Sequence, residues 1–240
     1  IKALGKYLKV PADNLVLTTS CTEAIFALLK LLRNRDLTSV VAQDNSFIAL
    51  ASAVIENDME ISLVDIDYNT LNINLSKFES LCEANKIDIM FITHVGGYHT
   101  ELKEITEICR AKNIVMIEDA AGAMSGFYKG QALGTFGNFG VWSFDPMKSL
   151  VCGDGGLIYC KDAQDAQILR SYLYLGLPSN EKSGLDSIKT TRWWEFQIER
   201  VGRRAVMNDI NAAIGVSQLK KQDQFRQRRE LINEYYREEL

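Results

Sequence analysis

Along the 240-residue chain, short continuous apolar runs alternate with longer stretches in which apolar positions recur every three or four residues. The first pattern marks buried strands and the second amphipathic helices. The spacing predicts a helix over 1–8, a short strand over 15–17, a turn at Thr18 to Cys21 and a helix over 22–32. The apolar residues of that helix, Ile25, Phe26, Leu28, Leu29 and Leu32, fall on one face. Strand 39–42, helix 46–56, strand 60–64, helix 76–84, strand 88–92, helix 101–112 and strand 114–117 follow in alternation. Strands 140–143 and 157–160 flank a loop, and the remainder reads as helix over 162–174 and 208–239 with a polar loop at about 177–195 between them. This order predicts an α/β fold: a mostly parallel sheet with helices on both faces. Ligands of such sheets bind at the carboxyl ends of the strands, where Cys21, Asp119 and Lys148 are expected to lie. There is no internal repeat or low-complexity segment, and only three prolines occur, so no proline-rich linker divides the chain.

Composition narrows the class. The chain is 47% hydrophobic and 24% charged, as in ordinary globular proteins, and its net charge of −4 gives no reason to expect nucleic acid or an anionic membrane as partner. No apolar run is long enough to span a bilayer, and no signal peptide opens the sequence. The five cysteines (21, 82, 109, 152 and 160) form no CxxC pair, and His94 and His99 are the only histidines. That count predicts no metal site and a reduced, cytoplasmic protein. The chain opens without methionine and ends inside a helical pattern, so it reads as a fragment.

Lys148 carries the first candidate chemistry. It follows an apolar strand and Phe144-Asp145-Pro146-Met147, and precedes the glycine run Gly153, Gly155, Gly156. An isolated loop lysine is usually a solvated charge, and Asp119 at the end of the 114–117 strand would by itself be a helix cap. Together they permit a second reading. The lysine holds an aldehyde cofactor as a Schiff base, and the aspartate keeps the cofactor's ring nitrogen protonated. Pyridoxal 5'-phosphate (PLP) is such a cofactor. Its phosphate would suit the turn Ser20-Cys21-Thr22 at a helix N-terminus, where free N–H groups and the Thr22 hydroxyl point one way. The bland alternative is an N-cap. Glu23 in the first turn is expected to point away from such an anion. Ser143 offers another hydroxyl, the glycines could let backbone approach a ligand, and Phe47 could stack on a ring, although most phenylalanines are simply core.

Five segments in order then carry a family resemblance: NSFIA at 45–49, VDID at 64–67, IEDAAGA at 117–123, SFDPMK at 143–148 with GDGG at 153–156, and MNDINAAIG at 207–215. Together they resemble the DegT/StrS family, fold-type-I PLP-dependent aminotransferases acting on nucleotide-linked keto-sugars. The resemblance runs over nearly the whole chain and implies one PLP-binding large domain over 1–240, its helix at about 208–240 leading toward a small C-terminal domain that is absent here. It implies that Lys148 is the Schiff-base lysine, Asp119 the pyridine partner and Phe47 the stacking aromatic. It puts Cys21, Thr22 and Ser143 at the phosphate. It also implies a homodimer, with a segment before Met207 reaching the partner's site. Four positions depart from the family pattern. Gly122 stands where a histidine or glutamine is usual, Cys21 where glycine is, Val206 where arginine is, and Arg204 where a cross-subunit asparagine is found. An arginine at 204 could still pair with a phosphate, or belong to a basic surface cluster with Arg200 and Arg203.

The function implied is amino transfer from an amino acid, with glutamate the expected donor, to a nucleotide-linked keto-sugar. Two other readings stand beside it. Some relatives are sugar dehydratases that carry histidine in place of the lysine, and Lys148 favours transamination over that chemistry. A non-catalytic PLP-binding or dimerising relative is the other, suggested by Gly122 and the short chain.

Overall fold

The computed structural model describes residues 1–99, 101–178 and 198–240. The expected polar loop at about 177–195 lies almost wholly outside the described residues. Nine strands occur among the described residues: β1 Leu15–Thr18, β2 Ser39–Gln43, β3 Glu60–Val64, β4 Ile89–Thr93, β5 Val115–Asp119, β6 Phe127–Tyr128, β7 Gln131–Ala132, β8 Phe139–Ser143 and β9 Gly156–Cys160. The helices are α1 Lys2–Leu8, α2 Cys21–Arg33, α3 Ala49–Glu56, α4 Leu75–Ala84, α5 Leu102–Ala111, α6 Ala163–Leu173, α7 Asp209–Leu219 and α8 Gln222–Glu239.

Seven strands form one sheet in the order β1-β9-β8-β5-β4-β2-β3. The pairs β2–β3, β2–β4, β4–β5 and β5–β8 are parallel, while β9 runs antiparallel to both β8 and β1. Six strands therefore point the same way and β9 alone is reversed. Thr18 and Ser143 both lie opposite Gly156, so the first turn of the chain is brought level with the end of β8.

The central strands are buried on both faces, which explains their continuous apolar runs. Residues alternate between two cores. On one face Val41, Met90, Met116 and Trp142 pack with α1, α4 and α5. On the other, Ala42, Phe91, Ile117, Val141 and Ile158 pack with α2, α3 and α6. The expected helices on both faces are thus present. Helix α2 starts at Ser20, whose hydroxyl accepts the Glu23 N–H at 3.1 Å, a cap worth about 1 kcal/mol. It buries Ile25, Leu28, Leu29 and Leu32, at roughly 1.5–3 kcal/mol each. Phe26 is only partly buried.

Two features differ from expectation. The 208–239 stretch is two helices, α7 and α8, separated at Lys220 and Lys221. The break brings Gln222 into a fully buried position, where it accepts from Ser125 Oγ at 3.1 Å and donates to Ser149 C=O at 2.8 Å. A small hairpin, β6–β7, turns through Lys129 and Gly130, both at positive φ (50° and 83°), the geometry of a two-residue hairpin turn. Among the described residues no helix is long and apolar enough to cross a membrane, and the five cysteines are free and buried.

Candidate active site

The carboxyl ends of the six co-directional strands share one edge of the sheet, and strand alternation sorts their last residues by face. Asp119 lies on the face of Ile117, Ser143 on that of Val141, Thr93 on that of Phe91 and Thr18 on that of Val16, all on the α2 side. Asp119 is level with Thr93 on β4 and with Val141 on β8. Its carboxyl is buried, with Oδ1 accepting the Ala121 N–H at 2.9 Å. No donor among the described residues reaches Oδ2.

The N-terminus of α2 closes one side. Ser20 Oγ is used by the helix cap, but the N–H groups of Cys21 and Thr22 have no hydrogen-bond partner among the described residues. Cys21 is buried and Thr22 is exposed. Glu23 is turned to Arg203, whose Nη1 lies 3.1 Å from both carboxylate oxygens, so it does point away from a would-be anion. Gly156 allows this turn to sit on β9. A Cβ there would be 2.5 Å from Thr18 Oγ1 and 2.6 Å from the Cys21 nitrogen. The glycine run thus serves chain packing: Gly153 and Gly155 adopt positive φ (90° and 139°), and a Cβ on Gly155 would meet Met207 at 2.9 Å.

The lysine loop is closed at its base by Phe144, whose N–H donates to Gly155 C=O at 2.9 Å and whose C=O accepts from Cys152 N–H at 3.0 Å. Ser143 Oγ accepts the Asp145 N–H at 3.3 Å, Asp145 Oδ1 accepts the Met147 N–H at 2.8 Å, and Lys148 N–H donates to Asp145 C=O at 3.0 Å. The tight turn leaves Met147 almost fully exposed and Lys148 half-buried. Electrostatics tie the pieces together. Burial pushes the Asp119 carboxyl above the usual range, against the pull of the Ala121 N–H and of the His94 and Lys148 side chains. Burial raises the Cys21 thiol well above its ordinary value, Asp119 adds to that, and Lys148 opposes it. The Lys148 side chain thus lies within electrostatic reach of both Asp119 and Cys21.

Phe47 stands exposed between β2 and α3. The adjacent Ser46 Oγ bonds Gln43 C=O at 2.8 Å and lies 3.4 Å from Thr93 Oγ1, so this loop is held beside the end of β4. Arg204 is also exposed, its guanidinium 5.7 Å from the centre of the Tyr174 ring. The next residue, Ala205, accepts the Thr19 N–H at 3.0 Å, which sets the Arg204 segment against the turn leading into α2. A Cβ on Gly122 would meet nothing within 4 Å, so the space beside that residue is open.

Sequence reading passed over the other face of the same strand ends. Glu118, adjacent to Asp119, points to the opposite side and is fully buried. Its carboxylate accepts N–H groups from Gly134 at 2.8 Å, Phe136 at 2.6 Å and Gly137 at 2.7 Å, and its Oε2 lies 2.8 Å from His94 Nε2. The His94 ring packs edge-on against His99, centroids 5.4 Å apart, and His99 Nδ1 reaches Asn72 Oδ1 at 3.1 Å. The available signal was the strand period: neighbouring acids on one strand cannot serve one ligand.

The residues present fit PLP. Among the described residues, a buried carboxylate with one oxygen that no donor reaches, two N–H groups without an acceptor at a helix N-terminus, a hydroxyl at Ser143 and a half-buried lysine share one sheet edge. The mostly parallel seven-stranded sheet with helices on both faces is the α/β fold expected from the sequence. The chain belongs to the DegT/DnrJ/EryC1/StrS aminotransferase family, whose profile matches residues 2–240. It is 37% identical over 96% of its length to dTDP-4-dehydro-2,3,6-trideoxy-D-glucose 4-aminotransferase of Saccharopolyspora spinosa, and spans 60% of that protein. It is 30% identical over 93% of its length to the spore coat polysaccharide biosynthesis protein SpsC of Bacillus subtilis (strain 168), covering 56% of it. The crystal structure of the aminotransferase TlmJ from Streptoalloteichus hindustanus superposes with a TM-score of 0.84 at 33% identity, over 97% of this chain and 60% of that one. The chain thus spans little more than half the length of the relatives it matches.

Proposed function

We propose that this chain is the cofactor-binding part of a PLP-dependent aminotransferase that passes an amino group from an amino acid, glutamate being the expected donor, to a nucleotide-linked keto-sugar. The observation that carries the reading is the convergence of Lys148, Asp119 and the α2 N-terminus at one edge of the sheet, with Lys148 close enough to oppose the upward push that burial gives Asp119 and Cys21. Family membership and the names of relatives, one acting on a dTDP-linked keto-sugar, support the substrate class. We further propose a cytoplasmic homodimer in which Arg204 approaches the partner's phosphate site.

Bound here, PLP would supply an aldehyde that condenses with amines and an electron-withdrawing ring. Each residue has a separable task. The Cys21 and Thr22 N–H groups and the Thr22 and Ser143 hydroxyls would hold the phosphate, helped by the positive end of α2. Phe47 would cover one ring face. Asp119 Oδ2 would accept the ring N–H, the charge-assisted bond that keeps that nitrogen protonated. Lys148 Nζ would bond the cofactor at rest and, once released by the incoming amine, carry a proton to and from the substrate carbon. Retention of a lysine at 148 favours transamination over dehydration.

Lys148→Ala tests the reading. The variant is expected to lose the visible absorbance of the PLP-loaded protein, the borohydride-fixed mass on the 143–148 peptide and nearly all turnover, while still binding PLP. Wild-type absorbance and rate in that variant would make another lysine the catalyst and sink the assignment.

A further inference from the structure

The turn entering α2 spells Ser20-Cys21-Thr22-Glu23, the S-x-x-E pattern of a capping box. In a closed box two bonds cross: the serine hydroxyl takes the glutamate N–H, and the glutamate carboxylate reaches back to the serine N–H. Only the first is made here. Ser20 Oγ accepts the Glu23 N–H at 3.1 Å, while the Ser20 N–H has no acceptor among the described residues. The carboxylate is held elsewhere, with both oxygens 3.1 Å from Arg203 Nη1.

Arg203 is placed by a part of the chain remote in sequence from α2. Its N–H donates to Tyr172 C=O at 2.7 Å and its C=O accepts the Leu175 N–H at 3.1 Å, so its backbone is fixed on the end of α6. Gly202 permits that close approach, since a Cβ there would stand 2.4 Å from the Tyr172 carbonyl oxygen. The other arm of the guanidinium, Nη2, lies 3.9 Å from Glu56 Oε1 at the end of α3. The Arg203 and Glu23 side chains are 39% and 29% exposed, and an ion pair so placed adds little to stability. What it decides is where the Glu23 charge sits relative to the open N–H groups of Cys21 and Thr22.

We infer that Arg203 is a positioning residue for the anion cup at the head of α2: by holding Glu23 out of its own capping box, it keeps the helix N-terminus open to a phosphate. Without the guanidinium, the Ser20 N–H is the donor that the S-x-x-E pattern offers the carboxylate. Closing the box brings a negative charge to the end of the helix where the dipole draws anions, and the carboxylate then competes with phosphate for that end. The effect on cofactor affinity rests on the proposed seating of the PLP phosphate at this turn. The closing of the box does not.

Two readouts therefore test it. In the cofactor-free 240-residue chain, Arg203→Ala should melt near the wild-type temperature, while its Ser20 amide exchanges with solvent roughly fivefold more slowly, the mark of a new hydrogen bond. Adding Glu23→Ala should cancel that slowing. In titrations followed by visible absorbance, Arg203→Ala should bind PLP on the order of tenfold more weakly than wild type. Pyridoxal, which has the aldehyde but no phosphate, should bind both proteins alike. The double variant Glu23→Ala/Arg203→Ala should recover PLP affinity although the arginine is still missing, a rescue that an arginine needed only for folding could not give. Unchanged Ser20 exchange or unchanged PLP affinity in folded Arg203→Ala overturns the inference, as does an equal loss for pyridoxal or a double variant as weak as the single one. Should Arg203→Ala fail to fold, Arg203→Gln takes its place in the same comparisons. If the Ser20 amide responds as expected but the wild-type chain binds no PLP, the hold of Arg203 on the box stands and the proposed function fails.

Discussion

At Asp119 one side chain has to satisfy opposed demands: burial raises its carboxyl, while the proposed role needs it charged. Breaking a buried charge pair costs on the order of 3–5 kcal/mol. At about 1.4 kcal/mol per decade, Asp119→Ala is expected to lower turnover by roughly two to three decades while PLP still binds; steady-state kinetics close to wild type would remove Asp119 from the pyridine role. Gly156 is a second sensitive residue. An added methyl has backbone of the 18–21 turn within 2.6 Å, so Gly156→Ala should cost about 1–3 kcal/mol and loosen cofactor binding by displacing the α2 N-terminus. Denaturation midpoints with PLP titration check both effects, and a stable variant with wild-type affinity would contradict them. Lys148, Asp119, Cys21 and Thr22 were legible because strand ends and helix starts can be read from the apolar period. The work of Gly156 was not, because it depends on β1 and β9 being neighbours, which no local pattern states. Nor was the four-donor role of Glu118, whose partners Gly134, Phe136 and Gly137 come from a loop without apolar period.

Among the elements, the strands and helices from α2 to β5 emerged within a few residues of expectation, since each pairs a continuous apolar run with a helical stripe. The break between α7 and α8 did not, because Lys220 and Lys221 are good helix formers and the reason for the break is tertiary, the burial of Gln222. The start of β2 shows another tertiary device. Asp88 Oδ2 accepts the Thr38 and Ser39 N–H groups at 2.9 and 3.1 Å, and Lys86 approaches its other oxygen at 3.2 Å. Burial opposes the charge, but these donors hold the carboxyl below its usual value. The unfolded chain therefore binds the proton first as pH falls, so this stabilisation is full above about pH 4 and lost as pH drops through the folded value. Asp88→Ala should cost about 1–3 kcal/mol at neutral pH and flatten the acid limb of the stability curve. Equal acid sensitivity in variant and wild type would show the cap to be idle.

Over the whole molecule, the buried histidine layer sets a second pH dependence. His99 is held down to about 3, so between its unfolded value near 6.5 and that folded value only the unfolded chain takes up the proton. Stability should fall as pH drops through this window, by up to about 1.4 kcal/mol per unit from this residue. His99→Gln, which can still donate to Asn72, should make urea midpoints between pH 6.5 and 4 less steep in pH; an unchanged slope would mean His99 protonates in place. The reversed strand β9 has a consequence of another kind, in time. Leu15 pairs with Tyr159, so β1 has no neighbour in the sheet until more than half the chain has been made, whereas β2 and β4 join across a much shorter loop. Closing so long a loop is slow, and contacts of this separation form late. The cup at the head of α2 is therefore among the last parts of the sheet to be assembled. On the proposed reading, a nascent chain would gain affinity for PLP only when β1 docks, and binding would then hold that edge shut.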